Sequence, residues 1–225
     1  MILERLTSGR VPEGALLVVP LGATEQHGPH LPLGTDTAIA TALCRALADA
    51  WTEPALVVAP AVAYGSSGEH AGFAGTLSIG QEGTEVLVVE LVRSADVFAG
   101  TVLVSAHGGN AAPLARAVAT LTAEGRHVLA WSPRAPGGDA HAGRTETSLM
   151  LAIAPDDVDL AAAVPGDIRP LSELAPALRA GGVAAVSANG VLGDPRGATA
   201  EEGHSLLSAF TAELVAAVEA WARGR

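Results

Sequence analysis

Glu25 and His27 stand two residues apart, with Asp36 a short loop further on, in Gly22-Ala-Thr-Glu25-Gln-His27-Gly-Pro-His30-Leu-Pro-Leu-Gly-Thr-Asp36. In an extended chain, side chains two apart project to the same side. Gly28, Pro29, Pro32 and Gly34 forbid a helix here and shape a loop that can return Asp36 to the pair. Carboxylate and imidazole ligands suit Zn²⁺, Mn²⁺ or Fe²⁺. His107, in Ala106-His107-Gly108-Gly109-Asn110, and Glu146, in Asp139-Ala-His141-Ala-Gly-Arg-Thr-Glu146-Thr-Ser, extend the set. Taken singly, these are a polar loop, a packing histidine and a first-turn acid answering a helix dipole. Taken together, they make a ligand set for two divalent ions. Three carboxylates and two neutral imidazoles carry −3 against the +4 of such a pair. The remaining positive charge polarises a carbonyl and acidifies a water near neutral pH. A shared carboxylate, Asp36, would hold the two ions roughly 3.5–4 Å apart.

The elements that must position these residues are legible as alternating patterns. Ala15–Leu21, Ala55–Val62, Thr101–Ser105 and Val128–Ser132 are short apolar runs that read as buried strands. Their continuous hydrophobicity predicts a mostly parallel sheet covered on both faces. Ala38–Trp51, Gly83–Phe98 and Pro113–Glu124 carry helical periodicity, and Glu146–Ile153 and Ala200–Arg223 read as later helices. Pro133–Gly143 is a loop, and Gly181–Ala198 reads as a strand followed by a loop. Strand–helix alternation over this length predicts one α/β/α layered domain spanning residues 1–225. Each polar cluster directly follows a strand, so all of them should converge at the carboxyl edge of the sheet, where ligands bind.

Composition narrows the function classes. Charged residues are 16% and hydrophobic residues 49%, which marks a folded chain, and with aromatics at 3% the core must be Ala, Val and Leu. The formal net charge of −11 and scattered arginines exclude a phosphate-tracking surface, so no nucleic-acid partner is expected. Cys44 is the single cysteine, which rules out an intrachain disulfide and a cysteine-based zinc site. It falls in a helical pattern and reads as a buried, inert thiol. No signal peptide is evident, and the apolar runs at 15–22 and 55–63 are too short to span a bilayer, so a cytoplasmic enzyme with no membrane partner is expected. A nucleotide-binding domain is disfavoured: after the first strand there is no glycine-rich phosphate loop, and Glu25 would repel phosphate.

Glu25-Gln-His27-Gly-Pro-His30-Leu-Pro-Leu-Gly-Thr-Asp36, Gly65-Ser-Ser-Gly-Glu69-His70, His107-Gly-Gly-Asn110 and His141-Ala-Gly-Arg-Thr-Glu146-Thr-Ser resemble the creatininase family, in the right order and over most of the chain. The resemblance implies a three-layer α/β/α sandwich, two divalent metal ions per subunit, hydrolysis of amide or related C–N bonds, and a homo-oligomer. It implies Glu25 and His107 as ligands of one metal, His27 of the other, and Asp36 as the bridge. It also implies His141 as the catalytic histidine that moves a proton to the leaving nitrogen. Ser67, Glu69 and His70 fall where the family lines its substrate pocket. His30 reads either as a residue that hydrogen-bonds behind the ligands or as part of the loop itself, and His127 and His204 as ordinary surface or packing residues.

Creatinine-hydrolysing members carry His-Tyr-Glu-Asn where this chain has His107-Gly108-Gly109-Asn110. That departure argues against creatinine as substrate and leaves the second metal one ligand short, with Glu146 the natural replacement. Ala180–Ser187, Val191–Pro195 and Ala198–Gly203 are most similar to members that cleave a ribosomally made, modified precursor peptide. Such a resemblance implies release of a crosslinked C-terminal Val-Tyr dipeptide as a building block for a redox cofactor. The alternative is a small-molecule amidohydrolase of the same family, acting on a lactam or a formamide.

Overall fold

The structure is a computed structural model and describes residues 1–224. Four strands, β1 (Leu16–Leu21), β2 (Leu56–Val58), β3 (Gly100–Ser105) and β4 (Val128–Trp131), form one sheet in the order β2-β1-β3-β4. Every pairing is parallel. Six α-helices accompany them among the described residues: α1 (Thr35–Ala50), α2 (Gly80–Arg93), α3 (Ala111–Ala123), α4 (Arg144–Ile153), α5 (Leu171–Gly181) and α6 (Ala200–Arg223).

Alternation along the strands divides the core in two. Leu16 and Val18 of β1, with Val102 and Val104 of β3, pack against Ile39, Leu43 and Leu47 of α1, Met150 of α4, and Phe210 and Leu214 of α6. Leu17, Val19, Leu21 and Leu103 face the other way, onto Val88 and Val92 of α2 and Leu114, Ala117 and Leu121 of α3. Period-two side-chain direction therefore builds the expected three-layer α/β/α sandwich. Cys44 is buried in the first of these clusters. α6 is the one described helix long and apolar enough, by length and composition, to cross a membrane; here Phe210, Leu214 and Val218 form its buried side.

β1 lies between β2 and β3, so the connections leaving it and reaching β3 run to opposite sides of the sheet. This creates a crevice between the carboxyl ends of β1 and β3, the topological switch point of such sheets. Leu21 pairs with Ser105, so the segments carrying Glu25 and His107 leave the sheet at the same level.

Two expectations need correction, and one helix went unread. The strand predicted over Ala55–Val62 is reduced to Leu56–Val58, with a lone bridge from Val62 to Leu21. Pro60 has no N–H to donate to the ladder, which interrupts the run. Gly181–Ala198 holds no strand: it contains a short turn of 3-10 helix at Val183–Ala185 and one bridge between Leu192 and His141. Val191 joins the first core cluster, and Val183 and Leu192 pack with Leu174 in a small separate cluster. That cluster is anchored by α5, a helix absent from the sequence reading because Pro170 and Pro176 mark the segment as broken.

Candidate metal centre and cleft

The loop after β1 turns back through lone bridges from His27 to Pro29 and to Leu31. It ends in the first turn of α1, which starts at Thr35, earlier than the pattern indicated, and so places Asp36 on a rigid helix. Glu25 and His27 are fully buried, and Asp36 is 2% exposed. Asn110 joins three of the strand-end segments: its Nδ2 donates to the Gly22 carbonyl at 3.1 Å, and its Oδ1 accepts from the Ser66 N–H at 3.0 Å. Nothing local to His107-Gly-Gly-Asn110 marks Asn110 for this role, because Gly22 and Ser66 lie far from it along the chain.

The buried acids and imidazoles meet around Asp36. His27 Nε2 lies 3.4 Å from Asp36 Oδ1 and 3.8 Å from Glu146 Oε2. His107 Nδ1 lies 3.4 Å from Asp36 Oδ2, and its Nε2 lies 3.3 Å from Glu25 Oε2. The two oxygens of Asp36 thus face two groups: His27 with Glu146 on one side, His107 with its neighbour Glu25 on the other. Both oxygens of Glu25, His27 Nε2 and Asp36 Oδ2 are buried without a hydrogen-bond partner. Buried polar atoms are ordinarily paired, and unpaired carboxylate oxygens are costly. A cluster of lone pairs facing inward at these separations is what a divalent cation satisfies, so these donors fit the metal chemistry the family implies.

Among the described residues, three triplets have donor atoms within 4.8 Å of one another: Glu25–His27–Asp36, His27–His141–Glu146 and Glu25–His70–His141. His107 joins none of them, and its two nitrogens face two different carboxylates. The His27 Nδ1 lies 3.1 Å from the Glu25 carbonyl. Donation to that acceptor leaves the Nε2 lone pair toward Asp36.

Electrostatics agree with this geometry. Burial alone would lower His27, yet Asp36, Glu146 and Glu25 hold it up at about 9. Against burial, Glu25 and Asp36 likewise raise His107 to about 10. Glu146 is pushed up to about 7, chiefly by burial and by Asp36 and Glu25, with His27 opposing. Protons on the two imidazoles thus stand in for cations. His70 falls to about 4 and His141 lower than usual, first through burial and then through neighbouring imidazoles.

Glu146 sits in the first turn of α4, and its Oε2 accepts the Ala142 N–H at 2.6 Å. Ala142 adopts a φ of 53°, a left-handed conformation unusual for a residue with a Cβ. The strained turn joins His141 to Glu146 and aims both inward. His30 lies behind the cluster, with its Nε2 2.9 Å from the Thr147 hydroxyl.

A cleft of about 740 Å³ opens over the centre. Glu25, Glu69, His70, His107 and His141 line its floor, and Leu171, Leu178, Val183 and Leu192 form an apolar wall. Of Ser67, Glu69 and His70, the last two line this cleft. Ser67 does not: its side chain is fully buried, and Ser66 takes the place at the cleft. Gly109 is required where it stands, because a Cβ there would lie 2.4 Å from Glu69 Oε1 and 2.2 Å from the Ser66 carbonyl oxygen. His127 stacks on Trp221 with ring centroids 3.8 Å apart, away from the centre.

Comparison with known proteins agrees. The creatininase (creatinine amidohydrolase) family profile matches residues 5–218. The mycofactocin precursor peptide peptidase of Mycobacterium tuberculosis (strain CDC 1551 / Oshkosh) is 49% identical over 225 residues, covering 96% of this chain and 89% of that protein. The protein of the same name from Mycolicibacterium smegmatis is 50% identical over 211 residues, covering 92% and 85%. Among solved structures, a putative creatinine amidohydrolase from Bacteroides fragilis superposes with a TM-score of 0.82 at 25% identity, covering 98% of this chain and 96% of that one. A creatinine amidohydrolase (creatininase) structure gives 0.76 at 27% identity, covering 96% of each chain. With the family profile spanning nearly the whole chain and the donor cluster in place, this chain belongs to the creatininase family and is a metal-dependent hydrolase acting on carbon–nitrogen bonds.

Proposed function

We propose that the chain is the peptidase of mycofactocin biosynthesis that cleaves the modified precursor peptide and releases its crosslinked C-terminal Val-Tyr dipeptide. The observation that carries this reading is the near-full-length identity of 49–50% to mycofactocin precursor peptide peptidases. In this reading Glu25 and His107 would hold one divalent ion, His27 and Glu146 would hold the other, and Asp36 would be shared between them. Two ions so held, whether Zn²⁺, Fe²⁺ or Mn²⁺, would polarise the scissile carbonyl and acidify water. His141 lies at the cleft with its Nδ1 3.8 Å from Glu25 Oε1, a position from which it moves a proton to the leaving nitrogen. Glu69 and His70 contact the substrate from the floor, and the apolar wall receives its hydrocarbon side chains. At Gly108 and Gly109 no side chain narrows the cleft, which favours a peptide over a compact ring. Self-association and a cytoplasmic location belong to the same reading.

Incubating the Zn²⁺- or Fe²⁺-loaded enzyme with the crosslinked precursor tests the reading. Release of the dipeptide by mass spectrometry is the expected outcome. An intact precursor together with turnover of small cyclic amides or formamides would assign the chain to small-molecule hydrolysis.

A further inference from the structure

Gln26 stands between Glu25 and His27 and is 5% exposed. Its amide is fixed from both ends. Oε1 accepts the Gly28 N–H at 2.9 Å, and Nε2 donates to the Gly190 carbonyl at 3.0 Å. These partners settle which end of the amide is nitrogen. Gly190 is shaped to this contact: a Cβ there would lie 1.8 Å from Gln26 Oε1.

Nε2 has two hydrogens and three close neighbours: the Gly190 carbonyl, His70 Nδ1 at 2.9 Å and His141 Nε2 at 3.1 Å. The allocation is forced. His141 Nε2 lies 2.8 Å from the backbone carbonyl of Gln26, which can only accept, so that nitrogen carries the ring proton. It therefore cannot accept from the amide. The Gly190 carbonyl takes one amide hydrogen, and His70 Nδ1 takes the other. A neutral His70 must then carry its own proton on Nε2, which faces Glu25 Oε1 at 3.2 Å.

We propose that Gln26 is a positioning residue that sets the tautomers of both cleft histidines. His70 thereby turns a protonated Nε2 toward Glu25 and is not a metal ligand, and His141 presents an unprotonated Nδ1 to the reacting centre. Of the three donor triplets, Glu25–His70–His141 is then no cation site, because the His70 Nε2 lone pair is occupied by its proton. The tautomers follow from hydrogen bonds alone; only the proton transfer by His141 rests on the proposed hydrolysis.

Long-range ¹H–¹⁵N spectra of the histidine rings in Zn²⁺-loaded protein test this, with His70 and His141 assigned from spectra of His70→Gln and His141→Gln. Both rings should show an unprotonated Nδ1 and a protonated Nε2. A protonated Nδ1 on His70, or a zinc-shifted Nε2, would overturn the proposal. Gln26→Glu offers an acceptor where the amide donates, so the His70 proton should move to Nδ1. The same variant should lose about 10–100-fold in kcat with KM and zinc content little changed. An unchanged His70 pattern and kcat would also overturn it. If Gln26→Glu does not fold, the wild-type spectrum decides. A wild type that leaves the crosslinked precursor intact would remove the peptidase reading and leave the tautomer result standing.

Discussion

Two regions of this molecule are dense in charge and opposite in character. On the outer face of α2 and α3 and the segments just after them, Arg93 pairs with Glu90 and Glu124, Arg116 with Glu85, and Arg126 with Asp96. Each acid there meets a guanidinium with hydrogen-bond geometry, and water reaches the rest. At the carboxyl ends of β1 and β3, Glu25, His27, Asp36 and His107 come as close as 3.3–3.4 Å, yet atoms of Glu25, His27 and Asp36 find no partner. The outer region is complete as it stands and contributes little, because exposed ion pairs exchange hydration for weak, screened attraction. The inner region holds desolvated lone pairs that only a cation or protons can satisfy, so its behaviour should be governed by what binds there.

Substitutions separate the two. Asp36→Ala should have the largest effect, removing metal and activity together, since its two oxygens face both groups of ligands. Elemental analysis that finds both metals retained would break the comparison. His141→Ala should keep the metals and lower kcat by about 10²–10⁴-fold, the range for loss of proton transfer. Activity near wild type would remove His141 from the chemistry. Glu146→Ala should reduce the metal content from about two per chain to about one, as expected for a ligand of one ion in a two-metal site. An undiminished count would show that Glu146 does not hold the second ion.

Protons sharpen the same contrast. In metal-free protein His27 and His107 titrate near 9 and 10, above the ordinary 6.5 of an unfolded chain. Their stabilisation is therefore present below about 6.5 and lost as pH rises through about 9–10. Thermal unfolding of the metal-free form should shift to lower temperature over that window. Metal loading at pH 8 should release about two protons per chain, because both imidazoles must deprotonate to bind. Calorimetry in buffers of different ionisation enthalpy reads that number, and no proton release would contradict the assigned ligands. The smallest effect belongs to the outer face: Arg93→Ala should leave the unfolding midpoint and metal content within experimental scatter.

Much of this was legible in the residues. The four apolar runs became strands in one parallel sheet, and the polar cluster after each lies at its carboxyl end. Glu25, His27, Asp36, His107, His141 and Glu146 do come together. They were readable because carboxylates and imidazoles between glycines and prolines, placed after buried strands, are locally out of keeping with ordinary packing. Less was legible where neighbours compete. Ser66 and Ser67 are indistinguishable in sequence, yet adjacent side chains point in different directions, and only one reaches the cleft. α5 was hidden by its prolines. Gln26 gave no signal, since its partners, His70, His141 and Gly190, lie far away along the chain.

By itself, the sequence determined the kinds of atoms available to the centre and the edge of the sheet on which they gather. Both follow from side-chain chemistry and from periodicity over a few residues. Tertiary structure decided which nitrogen of each histidine faces inward and how the oxygens of Asp36 divide between two groups of ligands. It also buried both carboxylate oxygens of Glu25 with no hydrogen-bond partner in the protein. Those outcomes depend on distances of 3–4 Å between segments remote in sequence, which packing of the whole fold sets and no local pattern encodes.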